Sequence, residues 1–392
     1  MTLTIIITIS CLLLIAYLLD ITSSRTKIPS VIVLPLLGWV IRQITIFLDV
    51  QLPDFSAILP VLGTIGLILI VLEASLELEL NKSKIKLIIK SFLGSLIPML
   101  VLAFSLAYLF HYSGQFSIKD SLINVIPLCV ISSAIAIPSA RNLTSSYREF
   151  IIYESSFSDI LGVLFFNFVA LNDNFDVYSF GHFGLQLLII IIISFVATIG
   201  LSFILSKIEY HVKLMPIILL VILIYAVSKI YHLPALILIL VFGLFIGNLD
   251  KLKHLKWIEK FCKLDELCKE VKKFKEFTTE IVFLIRSLFF ILFGYLTETS
   301  VVLNTETMIL AVGIVFGIFM LRAIQLKISN LPLKPLLFIA PRGLITILLF
   351  LSIHETQRIP IVNKSLIIQV IILTALVMMI GLMTSQKNDT TT

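Results

Sequence analysis

Thirteen apolar runs, most of them close to the length of a membrane-spanning helix, divide this chain from end to end. They lie near residues 3–21, 28–48, 58–76, 85–110, 120–141 and 148–171, then near 183–206, 214–231, 234–249, 281–297, 307–326, 335–354 and 365–384. About twenty apolar residues in a helix cross the ~30 Å hydrocarbon layer. Inside lipid every backbone N–H and C=O needs an internal partner, which a helix supplies. The runs therefore predict an all-α polytopic membrane protein of about thirteen transmembrane helices. Composition agrees: 59% of the 392 residues are hydrophobic and 14% charged, where a soluble domain is about half apolar and about a quarter charged. The run Leu3–Leu19 has no Lys or Arg ahead of it, so it reads as a first span rather than a signal peptide.

The formal charge of +6 does not point to nucleic acid, because the basic residues follow the loops. Arg42, Lys119, Lys229, Arg358 and Lys364 fall on one side of the partition. Nearly all other Lys and Arg, Arg322 among them, fall on the opposite side. Cytoplasmic loops carry the basic excess, which predicts an outside N-terminus and a cytoplasmic C-terminus, in a membrane of the bacterial inner (plasma) type. Residues 250–280 mix lysines with Asp265, Glu266, Glu270, Glu276, Trp257, Phe261, Phe274 and Phe277, the pattern of an amphipathic helix at the cytoplasmic face. Residues 385–392 are expected to form a short cytoplasmic tail. Cys11, Cys129, Cys262 and Cys268 have no CxxC spacing, and Cys262 and Cys268, in the lysine-rich loop placed in the cytoplasm, are expected to be free thiols. No cofactor is expected.

A repeat runs through the chain. Pro29 precedes Gly38 as Pro234 precedes Gly243, and the same offset carries Ser132–Pro138 onto Leu337–Gly343. The fifth and twelfth runs thus each hold a helix breaker beside polar or charged residues: Pro138 in one, Pro341-Arg342-Gly343 in the other. Seven spans separate the partners, so the halves are inverted across the membrane. Paired, interrupted helices in inverted halves are the layout of secondary transporters.

The chemistry concentrates in Tyr147–Asn172, where Glu154-Ser155-Ser156-Phe157-Ser158-Asp159 opens an apolar helix. Ser155 and Asp159 are four apart and share a face, as do Glu154 and Ser158. An ionisable group in a span costs about 2.5–3.5 kcal/mol on insertion scales, so function is its default reading. A carboxylate with a hydroxyl one turn away suits a small cation or a proton; helix packing is the plainer alternative. In the fifth run, Ser132 and Ser133 either ligate a cation beside an unwound backbone or supply small residues at a helix contact. Glu73, near the cytoplasmic end of the third run, either lines the ion's path or is an interfacial acid. Arg286 needs a partner, and Glu154 is the expected one, which leaves Asp159 to titrate. The charge of Arg342 can offset the negative end of a half-helix. His111, His182, His211, His232, His254 and His354 read as interfacial residues.

These motifs resemble the monovalent cation:proton antiporters, which include the sodium/proton exchangers. Glu154–Asp159 looks like that family's sixth-helix Glu-Ser-x-Phe-Asn-Asp, and Leu72–Leu78 is similar to its third-helix Phe-Glu-Gly-Gly-Leu. Arg286–Phe290 resembles its Arg-x-Phe-Phe, and Ala340–Leu344 its Pro-Arg-Gly. The resemblance spans essentially the whole chain. It implies that Asp159 exchanges a proton for a monovalent cation (Na⁺ first, with K⁺ or Li⁺ as alternatives). Ser155, Glu73, Ser132, Ser133 and Ser158 would assist, and Glu154 with Arg286 would form a structural ion pair. It also implies a homodimer in which a core (about 58–171 and 281–384) moves against a scaffold (about 1–50 and 214–249), with 183–206 as a linker helix. Two departures stand out: Ser158 replaces the usual Asn or Asp, and Ser132-Ser133-Ala134-Ile135 replaces a Thr-Asp-Pro triplet, as in potassium-efflux relatives. With no second acid in the fifth run, one-for-one electroneutral exchange is expected. A K⁺/H⁺ antiporter is the alternative within transport, and a polytopic membrane enzyme the alternative of another class.

Overall fold

The computed structural model describes residues 2–26, 30–49, 55, 57–78, 84–141, 143–172, 176–207, 214–230, 236–248 and 264–385. All regular structure among them is helical. The first helices are α1 (Thr2–Thr26), α2 (Ser30–Phe47), α3 (Ile58–Glu77), α4 (Ile85–Gly114), α5 (Ile118–Cys129), α6 (Ser133–Ser139) and α7 (Ser145–Leu171). Then come α8 (Val177–Lys207), α9 (Leu214–Ile230), α10 (Leu236–Gly247), α11 (Leu264–Leu296), α12 (Thr299–Val302), α13 (Thr305–Ile328), α14 (Leu344–Leu351) and α15 (Lys364–Ser385). Single 3₁₀ turns stand at Leu336–Phe338 and Glu355–Gln357.

Seven stretches of the described residues are long and apolar enough to cross a membrane: Ile58–Glu77, Ile85–Gly114, Ile118–Ser139, Ser145–Leu171, Lys269–Leu296, Thr305–Ile328 and Lys364–Thr384. Five shorter apolar helices accompany them, at Ser10–Thr22, Val33–Phe47, Phe183–Ala197, Leu214–Ile230 and Leu236–Gly247. Large apolar side chains such as Leu188, Ile192 and Phe195 on α8, and Ile309, Val312 and Phe316 on α13, stay exposed. That is what a lipid-facing surface requires.

In the twelfth run Ile339–Gly343 is non-helical between the 3₁₀ turn and α14, at the expected breaker, where Pro341 lacks an N–H to donate. The tenth run folds differently from the sequence reading: it begins early, because the second half of the 250–280 segment is the first half of α11. That helix has 33 residues, about 50 Å at 1.5 Å per residue, and its apolar stripe continues without a break from the charged turns into the span. Phe274 is fully buried there, edge-on to Phe242 at 6.3 Å. Pro29, Pro234, residues 250–263 with Trp257, Phe261 and Cys262, His211, His232 and residues 386–392 lie outside the described residues, as do the side chains of His182, Asp265, Glu266 and Cys268. Cys11 and Cys129 are free thiols.

The chain divides into two compact units, one of residues 1–64, 88–162 and 284–392, the other of 65–87 and 163–283. Glycines bring backbones together inside each. In the first, a Cβ on Gly38 would lie 2.0 Å from the Ile291 carbonyl oxygen, and one on Gly294 would lie 1.9 Å from that of Pro35, so α2 and α11 touch backbone to backbone. In the second, a Cβ on Gly243 would lie 1.8 Å from Ser75 Oγ, and one on Gly247 would lie 2.5 Å from the Leu76 carbonyl oxygen. Asn248 then ties α10 to the end of α3 by donating to Leu78 O at 2.8 Å. Such contacts gain packing where the lipid gives no hydrophobic drive.

Local chemistry sets the helix ends around the centre of the first unit. Ser117 caps α5, accepting from the Asp120 N–H at 2.9 Å and donating to its carboxylate at 2.6 Å. Pro127 sits in the last turn, and α5 stops at Cys129, followed by extended Val130 (φ −83°, ψ 129°). Helix α13 ends with Asn330 at φ 51°, while the N–H groups of Asn330 and Leu331 reach back to Lys327 O and Leu326 O at 3.1 and 2.9 Å. Asparagine tolerates the left-handed conformation this closing turn needs.

Candidate ion-binding site

Helix α5 stops at Cys129 and α6 starts at Ser133, with three residues between, which frees consecutive backbone N–H groups that an unbroken helix would have bonded to carbonyls four residues back. Each finds a different partner in the first unit. Ile131 N–H donates to Ser158 Oγ at 2.9 Å, Ser132 N–H to Pro341 O at 2.9 Å, and Ser133 N–H to Asp159 Oδ2 at 3.3 Å. The Ser133 hydroxyl donates to the same carboxylate oxygen. Two breaks, one after α5 and one before α14, thus meet directly through the Ser132–Pro341 hydrogen bond, and α7 lies against them.

Gly343 makes that meeting possible. A Cβ there would stand 2.6 Å from Ile135 Cδ1 and 2.9 Å from Ser132 Oγ. Its φ of −173° is ordinary extended backbone, so the demand is for space. Arg342 is 3% exposed. It donates from Nε to Leu128 O at 2.7 Å and from Nη1 to Ala340 O at 2.9 Å, while its N–H donates to Thr374 Oγ1 at 3.1 Å. Leu128 O is one of the carbonyls that the end of α5 leaves without an intrahelical donor. Pro138 lies inside α6.

Asp159 is 1% exposed, and among the described residues no Lys or Arg pairs with it. Its Oδ1 and the Ser132 hydroxyl oxygen are both buried without a hydrogen-bond partner there. Ser155 donates its hydroxyl to Ile151 O at 2.7 Å, which leaves the oxygen lone pairs unused. Glu73 is half-buried on α3 in the second unit.

One expected pairing is corrected. Glu154 does not pair with Arg286: both of its oxygens go to Arg322, with Nη1–Oε1 at 2.9 Å and Nη2–Oε2 at 2.8 Å. Arg322 is 4% exposed and its Nε donates to Leu336 O at 2.8 Å. The sequence reading had set Arg322 among the cytoplasmic loop charges. It lies instead on the inner face of α13, where a fork of guanidinium N–H groups matches a carboxylate. Arg286 is also buried, at 6% exposure, and is engaged elsewhere. Gln325, one turn beyond Arg322, is a second buried polar residue that sequence reasoning passed over. Its spacing from Arg322 was the available signal, a polar pair on one face of an otherwise apolar helix.

A helical membrane protein with a buried carboxylate that has no basic partner among the described residues, at a meeting of two backbone breaks, is built as a secondary transporter is built. The chain belongs to the sodium/hydrogen exchanger family: residues 10–386 match the family described as "Sodium/hydrogen exchanger, transmembrane". It is therefore a member of an antiporter family that exchanges sodium for protons, and not an enzyme. Two solved structures are similar to it. One is the sodium proton antiporter MjNhaP1 from Methanocaldococcus jannaschii at pH 8, with a TM-score of 0.68 and 18% identity, covering 99% of this chain and 100% of that one. The other is an electron-microscopy map of the same antiporter, with a TM-score of 0.70 and 18% identity, covering 99% and 97%. At that identity the likeness establishes the fold. No curated protein sequence matches the chain.

Proposed function

We propose that the protein exchanges one monovalent cation, Na⁺ in the first instance, for one proton by alternating access, with both ions competing for Asp159. The observation that carries this reading is the carboxylate itself: buried at 1% exposure, without a basic partner among the described residues, one oxygen held by Ser133 and the other unpartnered. Such a group takes a proton or a cation but not both. Only the neutralised form crosses, because a bare charge in an apolar barrier is expensive. Ser132, Ser133, Ser155 and Ser158 supply oxygen ligands from the same region, and Glu73 is the further acid assigned to the path. The breaks after α5 and before α14 are taken as paired discontinuous helices of an inverted repeat with thirteen spans.

The same reading places the N-terminus outside and the C-terminus in the cytoplasm. It pairs two copies as a homodimer through the scaffold around 1–50 and 214–249, against which the core moves. Proteoliposomes with an entrapped pH dye test it. Na⁺ should drive proton efflux, with an apparent KM for Na⁺ that rises in proportion to proton concentration once protons hold most sites. Asp159→Asn should abolish the flux while the protein still inserts and folds. Flux that persists in that variant would refute the assignment. K⁺ in place of Na⁺ is the second reading, favoured by serines where an acid would stand in the fifth helix; the same assay with each cation separates the two.

A further inference from the structure

Behind the candidate site, within the first unit, α4, α7 and α13 and the two breaks enclose a small cleft. Its polar lining includes Ser95, Ser158, Arg322, Gln325 and Arg342, and its apolar wall residues such as Met99 and Leu102. Two guanidiniums meet one carboxylate in this region, since Glu154 is consumed by Arg322. Arg342 has no carboxylate partner among the described residues. Its Nε and Nη1 are bonded to carbonyls, and among the described residues Nη2 has no acceptor. Gln325 is 8% exposed, and among the described residues neither its amide nitrogen nor its amide oxygen has a hydrogen-bond partner. The Ser158 oxygen accepts from Ile131 N–H, and its own proton remains to be given. The wall of the cleft is mostly apolar, Arg342 faces it without a carboxylate partner among the described residues, and donors remain to be given by Arg342 Nη2, the Ser158 hydroxyl and the Gln325 amide.

We propose that the cleft is a binding site for a small monovalent anion of chloride type, held by Arg342 Nη2, the Gln325 amide N–H and the Ser158 hydroxyl. A buried charge left without a counter-ion is strongly unfavourable; the two carbonyls that Arg342 reaches offer partial charges, and an anion supplies the remainder. The amide oxygen of Gln325 is a lining atom that an anion does not satisfy. Gly94 supports the arrangement: a Cβ there would lie 2.5 Å from Gln325 Nε2 and 3.3 Å from Glu154 Oε1. Glycine thus leaves the Gln325 amide room beside α4 that a side chain would contest. This inference invokes neither Asp159 nor transport; it shares only Ser158 with the cation reading, using the hydroxyl proton where that reading uses the oxygen.

Bromide is the probe. Crystals of the full chain grown in sodium bromide should give an anomalous peak in this cleft. Thermal unfolding in detergent should occur at higher temperature in sodium chloride or bromide than in sodium gluconate of equal ionic strength. Gln325→Glu places a carboxylate beside Arg342, so it should abolish both the peak and the halide-dependent Tm shift while the protein stays folded. Gln325→Leu should abolish the peak by removing the donor. A cleft that shows water density only, or a halide effect on Tm that survives unchanged in Gln325→Glu, would overturn the proposal.

Discussion

Arg322 holds Glu154 with two parallel hydrogen bonds at 2.8 and 2.9 Å in a site where both are nearly sealed from solvent. A pair like this is weak evidence of net stabilisation, but removing one partner strands the other charge at about 3–5 kcal/mol. Arg322→Gln should therefore lower Tm sharply in detergent, and Glu154→Gln likewise. Replacing both at once, Glu154→Leu with Arg322→Met, should fall far closer to the parent than the sum of the single losses. A fully additive double variant would mean the two do not act as a pair. The acid was legible in the sequence because a charge amid apolar residues has few explanations. Its partner was not: Arg322 lies within two turns of the end of α13, where a long cation ordinarily snorkels to the interface, and it turns inward to Glu154 and Leu336 O instead. Gly343 makes a second prediction at this scale. Gly343→Ala would press a methyl group onto Ile135 and Ser132, with overpacking of about 1–3 kcal/mol. Exchange should be lost or slowed many-fold with little change in expression, read as proton flux per unit of reconstituted protein.

Helices α2 and α11 differ from most pairs in a membrane in that backbone meets backbone. A methyl group on Gly38 or Gly294 would fall about 2 Å from a carbonyl oxygen, and backbone cannot yield as a side-chain tip can. Gly38→Ala and Gly294→Ala should each push the helices apart and lower Tm. Gly313 on α13 has nothing within 4 Å of its built Cβ, so Gly313→Ala should leave Tm unchanged or raise it by the helix propensity gained, up to about 1 kcal/mol. A destabilising Gly313→Ala beside a silent Gly38→Ala would contradict this account. The elements themselves were legible where apolar length dominates: α3, α4, α7, α13 and α15 fall within a few residues of the runs that announced them. Legibility failed where one helix serves two environments. The first half of α11 carries Lys272, Lys273 and Glu276 on its exposed side and reads as an interfacial segment, yet its stripe of Phe274 and Thr278 runs straight into the span. The break after α5 was foreshadowed by serines and prolines, but its partners, Ser158 and Pro341, depend on chain crossings that no local pattern encodes.

At the scale of the whole molecule the question is how much charge moves per cycle. Among the described residues only two acids are buried, Glu154 and Asp159, and the first is committed to Arg322. On the proposed reading, one uncommitted carboxylate would hold one cation or one proton, the loaded site would carry the same charge in both directions, and the membrane potential would do no work on the exchange. A second proton per cycle would change this, since ~100 mV is worth about 2.3 kcal/mol per elementary charge moved. At about 1.4 kcal/mol per tenfold, such an exchanger would settle at a cation gradient shifted about fifty-fold by that potential. Proteoliposomes clamped at zero and at about −100 mV, then left to reach a steady state, distinguish the cases. Equal cation gradients at equal pH gradients are expected. A gradient that follows the potential would require a second titrating group, and Glu73, half-buried on α3, would be the first to replace: if Glu73→Gln made a voltage-sensitive exchanger insensitive, the count of one carboxylate per cycle would be wrong.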